Sequence, residues 1–185
     1  MKLRLMGTKS RITVRTFAEG LFARLAHDLE IVAEGTAGQS EPTADAAAAA
    51  SVTVRVPVRG LRVVGAVRDG LVDERTLSVS DRADIEERMR TGLAGDEVVV
   101  VATLVGTRAR LDVRTPHGRQ SVEVPVVVNR TEAGSVRASG TGDLSLRALG
   151  VPPVRGPAGA FRLADRVQVS FDATFEPDAE TEAQK

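Results

Sequence analysis

The residues with the widest chemical repertoire in this chain are its two histidines, His27 and His117, because an imidazole titrates near neutral pH and can move a proton or hold a metal. His27 precedes Asp28, a carboxylate of the kind that orients a catalytic ring. Adjacent residues on an extended chain point to opposite faces, however, so ring and carboxylate do not converge, and a structural or capping role is the simpler reading. His117 sits in Thr115-Pro116-His117-Gly118, a turn in which a solvated side chain is the default. A two-histidine metal site would need both rings plus an acid, and no spacing joins them. Cysteine is absent, which removes disulfides, thiolate metal sites and thiol nucleophiles together. No serine occupies a G-x-S-x-G elbow. Gly134 to Asp143 (GSVRASGTGD) is glycine-rich but lacks the Lys-Ser/Thr ending of a phosphate loop, and a hairpin explains it. The carboxylates of Asp81, Asp84, Glu86 and Glu87 gather at a helix start, where the dipole and solvent account for them. The chain therefore reads as a non-enzyme with no catalytic residues, no metal site and no cofactor.

Composition narrows the binding classes. The 185 residues carry 25 basic and 25 acidic side chains, so the surplus of positive charge that phosphate backbones demand is missing and nucleic acid is not an expected partner. Nearly all the cations are arginine, with lysine only at Lys2, Lys9 and Lys185, which reads as a codon habit. Five Phe, no Trp and no Tyr leave almost nothing to stack on a base or a sugar. Charges break every apolar pair in MKLRLMGTKSRITVRTF, so no secretory h-region is seen there and a cytoplasmic location is expected. The most apolar run, Val98 to Ala102, has strand length, far short of the roughly 20 residues of a membrane span.

Alternation with period two dominates what remains. Ile12 and Val14, then Leu29, Ile31 and Ala33, fall on single faces. In VTVRVPVRGLRVVG, Val52, Val54, Val56 and Val58 share a face, and Gly60 marks a bulge before Leu61 and Val63 resume it, giving one long bent strand. Further strands are expected over Glu97 to Gly106, Arg108 to Thr115, Gln120 to Asn129, Ser135 to Gly142 (continuing through Asp143 to Ala148) and Arg166 to Phe175. The connections Gly106-Thr107, His117-Gly118 and Ala133-Gly134 suit antiparallel hairpins. Two segments switch to helical spacing. They are Phe17 to Ala26, with Phe17, Leu21, Phe22 and Leu25, and Asp84 to Leu93, with Ile85, Met89 and Leu93 after a capping Ser80 or Asp81. Residues 36–50 read as a flexible loop, 177–185 as a disordered acidic tail, and 1–176 as a single domain.

About eight antiparallel strands with one apolar face make an all-β protein, either a two-sheet sandwich or, given the strand lengths, a closed lipocalin-like barrel with two short helices. The inward set of Val52, Val54, Val56, Val100, Ala102, Leu111, Val113, Val124, Val126, Val167 and Val169 is slim. If Phe22, Phe161, Phe171 and Phe175 do not fill the middle, an apolar chain is its natural occupant. Composition alone leaves a hollow and a filled barrel equally open.

The order of features resembles the YceI-like family of lipocalin-like barrels. The resemblance spans most of the chain. It runs through SRITVRTFAEGLFARLAHDLEI, through VTVRVPVRGLRVVG followed by LSVSDRADIEERM, and through ARLDVRTPHGRQSVEVPVVV. It closes on LRALGVPPVRGPAGAFRLADRVQVSFDATF, where Leu149-Gly150-Val151-Pro152-Pro153, Gly159, Asp165 and Val167 are the most specific part. Thr115 stands where the family usually has glycine. The resemblance implies an elongated tunnel that binds an isoprenoid or fatty-acyl type lipid without catalysis. Phe22, Leu25, Val54, Val56, Val100, Val124, Val126 and Val169 are the expected lining, with Phe22 and Leu25 near the mouth. The alternative is a filled barrel that acts through its outer surface as an interaction module. A homo-oligomer is compatible with either.

Overall fold

The computed structural model describes residues 2–20, 27–40, 51–156 and 161–178. Three of its long strands are each built from two pieces. β1 (Leu3–Leu5) and β2 (Arg11–Thr16) are separated by a 3-10 turn, Gly7–Lys9. After a short β3 (Ala18–Glu19), β4 (Asp28–Ala33) and β5 (Ala37–Ser40) are separated at Gly35, whose φ is 66°. β6 (Ser51–Pro57) and β7 (Leu61–Arg68) are separated by a 3-10 turn, Val58–Gly60. A short β8 (Leu71–Asp73) and helix α1 (Val79–Leu93) follow, and then β9 (Glu97–Val105), β10 (Arg108–Arg114), β11 (Arg119–Arg130), β12 (Val136–Ser145), the two-residue β13 (Arg162–Leu163) and β14 (Arg166–Pro177).

Each long strand pairs antiparallel with the next in chain order, and β14 then pairs with both β2 and β1. That last pairing closes an eight-stranded antiparallel barrel. Closure satisfies the backbone donors and acceptors that an open sheet would leave on its edges. The hairpin turns carry the expected glycines at positive φ, Gly106 at 61° and Gly134 at 81°.

The bend in β6–β7 is a 3-10 turn rather than the bulge expected at Gly60. Here Glu34 N–H donates to the Gly60 carbonyl at 2.8 Å, and a Cβ on residue 60 would lie 2.2 Å from the Glu34 carbonyl oxygen. The bulge lies instead on β4, between Glu30 and Ile31. Two other segments depart from expectation. Ala18–Glu19 pairs with β13 as a strand, so helical spacing from Phe17 does not make a helix there, and residues 21–26 of that segment lie outside the described residues. Ala37–Ser40 is strand, paired with β6, where a loop was expected, and residues 41–50 lie outside the described residues. β14 runs through Pro177, and Asp178 N–H donates to the Lys2 carbonyl.

Helix α1 starts five residues before the expected Asp84. Ser78 is its N-cap. The Ser78 hydroxyl accepts from Asp81 N–H, and the Asp81 carboxylate accepts from Ser78 N–H, a reciprocal box that satisfies two orphan donors. With Leu77, the helix lays Ile85, Met89 and Leu93 against the buried cluster of Ile31, Val56, Leu61 and Val63. Glu86 fixes its rotation by accepting from Arg62 Nη1 at 2.8 Å and from Val63 N–H at 3.0 Å. The helix thus packs across the inner face of the barrel beside β7 and the Val58–Gly60 turn. No helix among the described residues is long and apolar enough to cross a membrane.

Candidate functional site: the inner wall of the barrel

Side chains alternate across a pleated strand, so one inward residue and the register fix the inward set all round the barrel. Val54, packed against buried core, faces Val100 on β9. Val100 faces Val113, which faces Gln120 on β11, placing Val122, Val124 and Val126 on the same side. Val126 faces Gly140, Gly140 faces Phe171, and Gly142 faces Val169. Val169 faces Val14, and Val14 faces Ile31. Every described residue of the expected lining therefore points inward: Val54, Val56, Val100, Val124, Val126 and Val169. Phe22 and Leu25 lie outside the described residues. The outward positions carry the charges, as in the Arg137–Asp172, Arg166–Asp143 and Arg15–Glu30 pairs.

The inner wall carries a buried cluster toward each end, and between them buried positions such as Val113, Val124 and Val167 alternate with accessible ones. The cluster under α1 forms one buried group, and Leu5, Ala173 and Phe175 form another at the opposite end, with Val54 packed against both. Between them Val100, Leu111, Val126, Val169 and Phe171 retain accessible surface although they sit mid-strand and face inward. A filled barrel would bury such residues in one contiguous cluster. Two of the described phenyl rings lie against the wall or at its end. Phe175 belongs to the end cluster, and Phe171 lies over Gly140, where a Cβ would approach its Cζ to 2.8 Å. Gly142 leaves room for Val124 in the same way, with a Cβ only 2.2 Å from Val124 Cγ1.

Away from the rims, the inward positions on these strands hold no charged residue. Two polar side chains occur on the inner wall toward the α1 end, and sequence patterning alone had not singled them out. Thr16, on the face of Ile12 and Val14, is 7% exposed, and its Oγ1 has no hydrogen-bond partner among the described residues. Gln120 accepts from Ser145 N–H at 2.8 Å through Oε1. Among the described residues its Nε2 has no partner.

The chemistry weighed first in the sequence is absorbed by structure. Asp28 accepts from Ala18 N–H at 2.8 Å and ties β3 to β4. His117 is exposed on a turn whose Thr115 hydroxyl donates to the Leu149 carbonyl at 2.7 Å. Gly150, at φ 77°, lies where a Cβ would meet His117 Cβ at 2.6 Å. Asp165 accepts from Arg147 N–H and from the Ser145 hydroxyl, bonds that hold its carboxyl below the ordinary 3.8. Leu149, Gly150 and Asp165 thus clamp the loop after β12, which is what the most specific sequence motif does. Gly159 of that motif lies outside the described residues. Two concavities are bounded by described residues. One, about 640 Å³, crosses β11, β12, β14 and β2 and is lined by Pro125, Val127 and Ser170 together with Val126, Gly140 and Phe171 of the inward-facing set. The other, about 570 Å³, lies between α1 and the Val58–Gly60 turn.

Comparison with solved structures matches the whole barrel. The crystal structure of BcnA from Burkholderia cenocepacia superposes with a TM-score of 0.61 at 14% identity, covering 92% of this chain and 98% of that one. A polyisoprenoid binding domain from Saccharophagus degradans, implicated in plant cell wall breakdown, gives 0.63 at 11% identity, covering 95% and 98%. The chain shares the barrel fold of these two proteins, the fold that the resemblance to the YceI-like family implies. No family model and no curated protein matches the sequence. At these identities the likeness is one of architecture, and the inner wall of this chain has to be judged on its own side chains.

Proposed function

We propose that this chain is a non-catalytic carrier or sensor that holds a long apolar molecule, an isoprenoid or other lipid chain, along the axis of its barrel. The observation that carries the reading is the band of accessible, inward-facing aliphatic surface at Val100, Leu111, Val126 and Val169 between two buried clusters. Apolar surface facing a void gains about 0.8 kcal/mol for each methylene that leaves water to cover it, so a chain of five or six buried methylenes contributes about 4 to 5 kcal/mol. The polyisoprenoid binding of a protein with the same fold supports the same class of guest.

The test is native mass spectrometry of protein purified from cells without detergent, followed by solvent extraction. The binding reading expects a mass excess under native conditions that is lost on denaturation and recovered in the extract as an apolar chain. A bare chain mass in both, with no uptake of added farnesol, would refute it.

The exposed Val127, which lines the groove across β11, β12, β14 and β2, and the exposed Val105 favour a second reading, an interaction module that works through its outer face. That reading expects partner binding that is indifferent to substitutions filling the lumen.

A further inference from the structure

We infer that the barrel parts along a seam between β11 and β12 and that its guest enters and leaves there, sideways through the wall. This rests on the lipid-binding reading and adds the route the guest takes.

β11 (Arg119–Arg130) and β12 (Val136–Ser145) are neighbours, yet the ladder between them joins only Val126–Arg130 to Val136–Gly140. Beyond that point β11 pairs with β10 as far as Arg119, and β12 pairs with β14 as far as Ser145. Among the described residues no pairing joins the two facing halves. Three features keep them unzipped. Val126 N–H donates to the Thr107 carbonyl at 2.9 Å on the β10 side, so residue 125 turns its backbone toward β12, and proline has no donor to offer there. Continuing the register from Val126 and Gly140 sets Glu123 opposite Asp143, and like charges directly opposite work against pairing. Each carboxylate turns away to a cation on its far side, Glu123 to Arg108 at 3.4 Å and Asp143 to Arg166 at 3.2 Å. At the far end of the seam a side chain replaces the ladder, with Gln120 Oε1 accepting from Ser145 N–H at 2.8 Å.

The seam is closed by contact alone. Val124 Cγ1 lies 2.2 Å from where a Cβ on Gly142 would stand, so the strands touch without interlocking. Its inward lips, Val122, Val124 and Leu144, are aliphatic, which suits the passage of an apolar chain. The concavity of about 640 Å³ sits where the ladder stops, and both faces of the wall contribute to it: Val127, Ser139 and Thr141 from outside, Val126, Gly140 and Phe171 from inside. A lateral route leaves the buried clusters toward the two ends of the barrel packed. Parting the seam breaks side-chain contacts and no ladder, so it costs less than parting a laddered pair.

Two measurements test the seam on the full chain. Hydrogen exchange of the delipidated protein should show the amides of Glu123, Thr141 and Asp143 exchanging at least about tenfold faster than those of Val127 and Ser139 in the laddered half. The second is the rate at which unlabelled farnesol replaces bound deuterated farnesol, followed by native mass spectrometry. Glu123→Cys with Asp143→Cys cross-links the seam in a chain that has no other cysteine. Thr13→Cys with Ser170→Cys cross-links a laddered pair of β2 and β14 as the control. The seam cross-link should slow farnesol replacement about tenfold or more, reversibly with reductant, and the control should leave it within about twofold. Pro125→Val, which supplies the missing donor and needs no oxidation, should slow replacement about fivefold. Seam amides as protected as their laddered neighbours would overturn the inference and leave the lipid-binding reading standing. So would farnesol replacement at the wild-type rate in the oxidised seam pair and in Pro125→Val. Fast seam amides with no farnesol uptake by the wild type would instead overturn the lipid-binding reading, and the route with it.

Discussion

Val100→Phe distinguishes a hollow barrel from a packed one because the two respond with opposite signs. Val100 faces inward at the centre of β9, opposite Val54 and Val113, and retains accessible surface. In a filled core the larger ring would force side chains off their rotamers, at about 1 to 3 kcal/mol of stability. In a hollow barrel the ring enters empty space, so the apo protein should unfold within about 0.5 kcal/mol of wild type or slightly above it. The guest then loses room. A phenyl ring displaces about three methylenes from the axis, and at about 0.8 kcal/mol each the affinity for a chain falls by about 2.4 kcal/mol, or roughly fiftyfold. The assay pairs urea unfolding of delipidated protein with a farnesol titration followed by thermal shift, since a guest at 100 times its dissociation constant stabilises the wild type by about 2.7 kcal/mol. Apo destabilisation beyond 1 kcal/mol with unchanged farnesol affinity would refute the hollow interior.

Three other substitutions probe the scaffold that keeps the lumen open. Gly142→Val drives a side chain into Val124 Cγ1 and should cost about 2 kcal/mol or more, measured as a lower urea midpoint. Ser78→Ala removes one arm of the cap on α1 and should cost about 1 kcal/mol, with faster amide exchange confined to the first turns of the helix. Asp165 has a carboxyl pKa below its ordinary 3.8, chiefly through the Arg147 N–H and then the Ser145 hydroxyl, so its stabilisation is complete above that value and is lost as pH falls through the lowered one. Asp165→Asn should therefore lower stability at pH 7 and flatten the acid limb below pH 4, and an unchanged pH profile would contradict the clamp.

Period-two patterning made the barrel wall readable because each inward residue sits two positions from the next, and Val52 to Val56, Val98 to Ala102 and Val122 to Val126 keep that spacing through the register. The bend at Val58–Gly60 was legible as a break, but its form depends on Glu34 reaching Gly60 from another strand, which local sequence does not encode. The same holds for β3, whose Ala18–Glu19 pairs with residues more than 140 positions away; tertiary pairing overrode the helical spacing of Phe17 and its neighbours. For α1 the Ser78–Asp81 box was present in the sequence, although Ser80 or Asp81 offers a similar local signal. Thr16 and Gln120 escaped notice because a single hydroxyl or amide on a strand is ordinary. Only the closed register puts these two on the inner wall, and only the packing shows that Thr16 Oγ1 has no partner among the described residues.

The central claim is that the space between the two buried clusters belongs to a guest. A crystal structure of protein taken directly from cells, without added detergent or lipid, tests it most directly at moderate resolution. Continuous, slender density running past Val100, Val126 and Val169 is the expected result. Side chains meeting across the axis with no void between them would contradict it.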